Sequence, residues 1–375
     1  LANDKRKPLL NRAIMGTYPP GSTFKTSQAL TFLEEGIITE NTPFPCHGGF
    51  VHAGLRVGCH PHPAPLPLIP AIATSCNGYF CWGLLRMLSS NKYGKVQKAM
   101  NVWRDYMVSM GFGYKLGVDL PGEVRGMIPN AQFYDKAYRA SWNGLTVISI
   151  SIGQGEVTLT PLQIANLCAT IANRGTFITP HVVKSIENDT LAATYRTPRE
   201  TMASRRSYEH VVAGMRQAVL AGTCRGANLP DIEVCGKTGT AQNKGKDHSA
   251  FIGFAPMNEP KIALAVYVEN GGFGATYAVP IGALLMEHAA LGVVDIDWIT
   301  CHSNRIIEAT TSNNIIICQH ILTNNHATLT DSHKVGDLRH IGILESRHKL
   351  LQVALNLINL LASRHLTIGI TLRFG

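Results

Sequence analysis

The sequence predicts an α+β fold in which an antiparallel sheet, formed late in the chain, is covered by helices on both sides. Three observations carry that expectation. Residues 232–238, 248–255 and 261–269 alternate in polarity or run apolar, are rich in β-branched residues, and are joined by short turns, so they read as a three-stranded meander. The middle of the chain has helical periodicity, and residues 277–290 offer a helix returning over the sheet. With 375 residues, 45% hydrophobic content and 16% charged, the chain can bury one large core or two smaller ones.

Each element has its own local reason. Pro19-Pro20-Gly21 stops any earlier helix and places Ser22 in the first turn of a helix over 22–35. Residues 41–70 are crowded with Pro, Gly, Cys and His and read as a loop, and 71–90 read as helical beyond Asn77. At Thr160-Pro161-Leu162-Gln163 the start of a helix is explicit: Thr160 caps, Pro161 suits the first turn and Gln163 completes a capping box. Gly175 closes that helix after Ile164, Leu167, Cys168 and Ile171, an apolar stripe that reads as core packing. Residues 201–222 form a further helix.

Composition changes near residue 291. Residues 1–290 read as one domain and 291–375 as an unassigned tail rich in His, Asn, Ile and Leu, without a motif. Within it, 346–366 has the spacing of an amphipathic helix through Leu350, Leu351, Leu355, Ile358 and Leu361. His302, His320, His326, His333, His340, His348 and His365 fit no metal-site spacing. A tail so unlike the preceding domain leaves open a misjoined or out-of-frame origin.

The formal charge of +9 and pI near 9.1 suit an anionic surface, yet the Lys and Arg residues are scattered. With no basic helix, aromatic-interleaved basic strand or finger spacing, a nucleic-acid partner is not expected. No run of about twenty apolar residues occurs, nor a charged segment followed by an apolar one at the N-terminus.

Three short patterns carry the chemistry. Ser22-Thr23-Phe24-Lys25, Ser75-Cys76-Asn77 and Lys237-Thr238-Gly239-Thr240 supply, in that order, a nucleophile with its base, a proton shuttle and an anion clamp. A serine hydroxyl must lose its proton to a neighbour as it attacks, and on a helix Lys25 stands one turn beyond Ser22. Lysine is a base only when neutral, which burial or a second cation arranges, and Lys237 is that cation. Ser75 can relay a proton to a leaving amine, while Asn77 can hold Lys25 and bind a peptide carbonyl. The strand over 232–238 leads into Lys237; its edge can pair with an extended peptide, Thr238 and Thr240 can anchor a terminal carboxylate, and Gly239 lets substrate backbone come close. Together the patterns describe a serine acyltransferase.

Cys46, Cys59, His60, His62 and Cys76 fall in one window, and Cys76 is the middle residue of the second pattern. Thiolate and imidazole ligands in a group of four suit tetrahedral zinc, here Cys46, Cys59, His62 and Cys76 with His60 as the alternative nitrogen. A Cys46–Cys59 disulfide and unlinked cysteines stay open.

The three motifs in this order are a known signature of penicillin-binding proteins and class A β-lactamases. The stretches around 18–26 and 73–80, Ser151-Ile152-Gly153-Gln154-Gly155 leading to Thr160-Pro161-Leu162-Gln163, and Cys235 to Thr240 resemble class B penicillin-binding proteins, and most closely their elongation type, penicillin-binding protein 2. The resemblance runs from the first residue to about 290 and implies the penicillin-binding/β-lactamase-like transpeptidase fold. It implies a D,D-transpeptidase that cross-links peptidoglycan stem peptides, contributes to cell shape and is acylated by β-lactams at Ser22. Lys25 would be the general base, Ser75 and Asn77 the second motif, Lys237, Thr238 and Thr240 the third, and the backbone amides of Ser22 and Thr240 the oxyanion hole.

No catalytic cofactor is implied, and some members of the family carry a metal next to the second motif. Implied partners are stem peptides, β-lactams and a membrane glycosyltransferase of the elongation machinery. The implied location is the bacterial inner membrane with the catalytic domain in the periplasm. Members have a membrane anchor, a pedestal and early sheet strands ahead of the first motif; none precedes Ser22 here, so the chain reads as a fragment with an exposed sheet edge. Two alternatives remain: a class D-like β-lactamase or β-lactam sensor domain, which share Ser-Thr-Phe-Lys, and an inactive fragment that only binds partners.

Overall fold

In a computed structural model of the chain, residues 7, 9–187 and 189–291 are described, with the backbone of 315–321 and 367–373. The short α1 (Arg12–Met15) precedes a 3-10 turn over Gly21–Phe24 that runs directly into α2 (Lys25–Glu34). The expected helix over 22–35 is therefore continuous, with its first turn wound more tightly. α2 is buried from Lys25 to Phe32, polar residues included. These are satisfied locally or across the core: Thr26 Oγ1 donates to Thr23 O (2.8 Å), Ser27 Oγ to Phe24 O (2.7 Å) and Gln28 Nε2 to Ile150 O (2.9 Å).

Residues 41–70 are not all loop. β1 (Gly49–His52) and β2 (Leu55–Gly58) make a hairpin, with Gly49 opposite Gly58 and His52 opposite Leu55. Ala53 (φ 47°) and Gly54 (φ 80°) both turn left-handed, as a two-residue hairpin loop of this twist requires. Alanine there hid the turn, because the usual first residue is Asn, Asp or Gly. Next come α3 (Leu68–Ala73), α4 (Asn77–Leu88), α5 (Val96–Ser109) and α6 (Ala131–Tyr138), of which α5 and α6 were not foreseen.

α7 (Pro161–Ala172) starts as expected. Gln163 N donates to Thr160 Oγ1 (3.1 Å) and Thr160 N to Gln163 Oε1 (3.0 Å), completing the capping box with Pro161 in the first turn. Burial extends all round this helix instead of along one stripe, so it runs through the core. β3 (Thr176–Phe177) pairs with β4 (Arg199–Glu200), and α8 (Arg205–Leu220) follows, capped by Ser204.

The meander forms as expected: β5 (Cys235–Ala241), β6 (His248–Ala255) and β7 (Ile262–Val268) are antiparallel neighbours, followed by α9 (Ala278–Leu291). One boundary moves. The strand expected over 232–238 begins at Cys235, because Leu229 and Ile232 close a turn through Pro230 and Asp231, so the third motif lies within β5. Alternate residues of the sheet face two cores. Phe251, Leu264 and Val266 meet α9, while Ala250, Ile252, Phe254 and Ala265 join the larger core that contains α7 and α2.

The expected exposed edge is filled. β8 (Ile315–Ile321) pairs antiparallel with β7, from Ile262 opposite Ile321 to Val268 opposite Ile315, and β9 (Thr367–Arg373) runs parallel to β8. β-Branched Ile315-Ile316-Ile317 suits such a place. The helix expected over 346–366, and the tail histidines apart from His320 in β8, lie outside the described residues. Among the described residues no helix is long and apolar enough to cross a membrane.

Candidate active site

The first motif sits where the chain is pressed against β5. Gly21 has φ 56°, its N–H donates to Gly153 O (2.9 Å), and a Cβ on it would lie 2.7 Å from Thr240 O. Only glycine fits that approach. Ser22 follows, half-buried, on the 3-10 turn, and Lys25 opens α2 fully buried. The second motif ends the turn after α3. Ser75, with φ 57°, is a non-glycine residue in the left-handed region, a strained conformation typical of functional sites. Cys76 caps α4 by accepting from Tyr79 N (3.3 Å), and Asn77 is the first residue of that helix.

Both amines converge on Ser75. Lys25 Nζ donates to Ser75 O (2.6 Å), Ser75 Oγ (3.3 Å) and Asn77 Oδ1 (2.6 Å). Lys237 Nζ donates to Ser75 Oγ (2.7 Å) and to Thr238 O (3.0 Å). Burial pushes Lys25 down to about 8, while nearby thiols pull weakly the other way. Burial, reinforced by repulsion from Lys25, pushes Lys237 down to about 7. A pair of amines poised near neutrality around one hydroxyl can move protons at physiological pH. Asn77 holds Lys25 as expected, and its amide nitrogen donates to Gly58 O (2.7 Å), so the hairpin fixes the amide's orientation.

In the third motif, Gly239 is closely packed. A Cβ on Gly239 would meet Thr23 Cγ2 (3.0 Å), Ala250 Cβ (3.1 Å) and Pro20 O (3.1 Å). Gly239 therefore makes room for the segment that carries Ser22. Thr238 is nearly buried, and its hydroxyl lies 2.8 Å from the Thr223 hydroxyl; Thr240 is more open. Two neighbours were missed by sequence reasoning. Thr223, just after α8, donates its N–H to Ala73 O (3.1 Å), and Gln154 Nε2 donates to Thr240 O (3.4 Å). The Gly153-Gln154 pair stood within a quoted stretch, whereas nothing in the sequence marks Thr223.

Cys46, Cys59, His62 and Cys76 come together as expected, their ligand atoms all within 4.8 Å of one another. Cys59 reaches this place because β2 ends at Gly58 and Cys59 N donates to Gly48 O (2.9 Å). His62 Nε2 lies 3.3 Å from Cys59 Sγ, with its Nδ1 fixed 2.7 Å from Pro63 O. His60 is outside the group, its ring 5.8 Å from that of His62. Hydrogen bonds from Cys76 and from Asn77 N (3.2 Å) to the Cys59 sulfur hold this thiol far below its ordinary range, to about 4, whereas Cys76 is pushed upward. Both Cys46 and Cys59 are free cysteines, so the disulfide alternative is not formed.

Residues 1–287 match the family described as penicillin binding protein transpeptidase domain. The peptidoglycan D,D-transpeptidase MrdA of Acinetobacter baumannii is 36% identical over 296 residues, covering 72% of this chain and 42% of that protein. Among solved structures, Pseudomonas aeruginosa PBP2 in complex with WCK 5153 superposes with a TM-score of 0.69 at 30% identity, covering 79% of this chain and 65% of that one. Helicobacter pylori PBP2, solved as a complex with MreC, gives a TM-score of 0.65 at 29% identity over 77% of this chain and 52% of that one. The chain thus spans less than two thirds of each of these relatives.

Proposed function

Because the chain belongs to the penicillin-binding protein transpeptidase family, we propose that it is the catalytic part of a peptidoglycan D,D-transpeptidase of the elongation type, cross-linking stem peptides through a Ser22 acyl-enzyme. The observation that carries this reading is the convergence of Lys25 and Lys237 on the Ser75 hydroxyl, beside the turn that holds Ser22. Ser22 Oγ attacks the carbonyl carbon of the penultimate D-Ala of a donor peptide, and its proton passes to the Lys25 amine. Backbone amides of Ser22 and Thr240 stabilise the oxyanion, a contribution of roughly 3 kcal/mol for each such donor. As the tetrahedral intermediate collapses, the C–N bond breaks and the terminal D-Ala amine leaves with a proton relayed through Ser75. An acceptor amine then attacks the ester, forms the cross-link and returns the serine proton. Thr238 and Thr240 bind the terminal carboxylate, and the edge of β5 aligns the donor strand.

The same serine would be acylated by β-lactams. Labelling with a fluorescent penicillin tests this. The parent chain should carry an adduct at Ser22 that persists for many minutes, and Ser22→Ala should carry none. Turnover within seconds would instead mark a hydrolase, and no adduct on the parent an inactive fragment.

The Cys46, Cys59, His62 and Cys76 group suits a structural zinc in donor type and number, with Pro63 O 2.7 Å from His62 Nδ1 to accept its proton and leave Nε2 for the metal. A metal there would hold the hairpin to the start of α4 and take no part in the acyl transfer. Purified protein should contain about one equivalent of zinc, and Cys46→Ser should lower both the zinc content and the melting temperature. We place the acting domain at residues 1–290, on the periplasmic side of a bacterial inner membrane. Helicobacter pylori PBP2 binds MreC, and another solved relative belongs to a peptidoglycan synthase complex that coordinates polymerization and crosslinking; for this chain the proposed partner is a membrane glycosyltransferase of the elongation machinery.

A further inference from the structure

Thr223 is tied to both of the flanking motifs. Its N–H donates to Ala73 O (3.1 Å), two residues before Ser75, and its hydroxyl lies 2.8 Å from the hydroxyl of Thr238 on β5. The other neighbours of Thr223 Oγ1 are Ala73 O at 3.5 Å and the buried thiol of Cys224 at 4.0 Å. Two hydroxyls in contact share one proton, and which one donates decides where the other proton points. If Thr238 donated to Thr223, the Thr223 proton would be left with Ala73 O at 3.5 Å, beyond the O–H···O range of roughly 2.5–3.0 Å. If Thr223 donates to Thr238, the Thr238 proton is left for another acceptor, the Cys224 sulfur beside it or, on the transpeptidase reading, a bound carboxylate. The second arrangement satisfies every group once a carboxylate is bound.

We propose that Thr223 is a positioning residue that turns the Thr238 hydroxyl outward as a donor and thereby sets selectivity for substrates ending in a free carboxylate. The proposal rests on the transpeptidase reading of this site. A hydrogen bond to an ionised acceptor is about twice as strong as a neutral one, so removing the orienting hydroxyl acts mainly on carboxylate-bearing ligands. Thr223→Val keeps the shape and removes the donor; Thr223→Ser keeps the donor.

The test compares benzylpenicillin with its carboxamide, separating the dissociation constant of the pre-acylation complex from the acylation rate constant. Thr223→Val should weaken benzylpenicillin binding about tenfold, leave the acylation rate constant within about twofold and leave the carboxamide unaffected, with Thr223→Ser close to the parent. A thermal melt establishes that each variant is folded, and Thr223→Ala replaces the valine variant if that one is not. Equal weakening of both ligands, an effect confined to the acylation rate constant, or a serine variant as impaired as the valine one would each overturn the proposal. Failure of the parent to form a Ser22 adduct would overturn the underlying reading, and this proposal with it.

Discussion

The Ser75 hydroxyl is held between two amines that repel each other, and that repulsion has measurable consequences. Lys25 and Lys237 are pushed down to about 8 and about 7, so one of the pair sheds its proton near neutrality. Because a neutral base is required for attack, the acylation rate should rise with pH through about 7 to 8, by at most about tenfold per pH unit, and then level off. Single-turnover acylation from acid to mildly alkaline pH checks this; a flat profile would refute it. The sign for stability follows from the same shifts. An amine whose folded value lies below its ordinary 10.5 takes up more protons when unfolded, so its cost is complete below about 7 and fades as pH rises toward 10.5. Lys237→Met should therefore abolish acylation and yet raise the melting temperature at neutral pH by on the order of 2–4 °C, a gain that shrinks in alkaline buffer. At this scale the meeting of Lys25, Ser75, Asn77 and Lys237 was legible from the three motifs. The site was illegible where a residue acts through a contact distant in sequence, as Thr223 does on Thr238.

At the scale of elements, the start of α7 was legible and close backbone approaches were not. The Thr160 capping box is a local device, visible as four consecutive residues and built as read. Thr160→Ala should cost about 1 kcal/mol, or roughly 2–4 °C in melting temperature, with little effect on the acylation rate constant. Gly21 is the reverse case. Its neighbour Thr240 is more than two hundred residues away, so sequence shows only a turn-former where the structure needs an absent side chain. Gly21→Ala would set a methyl 2.7 Å from Thr240 O at φ 56°. The nucleophile turn must then move, and acylation should fall by about 10²-fold, the scale expected when a reacting group is displaced by about 1 Å. Stopped-flow acylation alongside a thermal melt separates this from simple unfolding. The hairpin β1–β2 was hidden for a related reason: Ala53 adopts a conformation that its side chain does not advertise.

For the molecule as a whole, the sheet works as the partition between two cores, and one side chain shows how tightly catalysis and stability are joined across it. Phe251 on β6 is fully buried against α9, and its ring fills a slot made by three glycines. A Cβ added at Gly236, Gly253 or Gly282 would come within 2.6, 2.6 or 2.5 Å of that ring. Gly236 immediately precedes Lys237, so the slot also fixes the strand that carries the second amine. The three-strand meander and the helices flanking it followed from hydrophobic period, while α5 and α6 did not; the glycine slot could not, since glycines spread over 236–282 reveal a common partner only once the chain is folded. Truncating the ring leaves a cavity that three backbone-rigid glycines cannot collapse into, and Phe251→Ala should cost about 3–5 kcal/mol. Urea unfolding of the parent and variant measures that loss. The variant that still folds at low temperature should also acylate more slowly, because Lys237 is no longer braced from behind. Full-rate acylation by a protein destabilised to that extent would show that the β5 strand is held by the nucleophile segment alone.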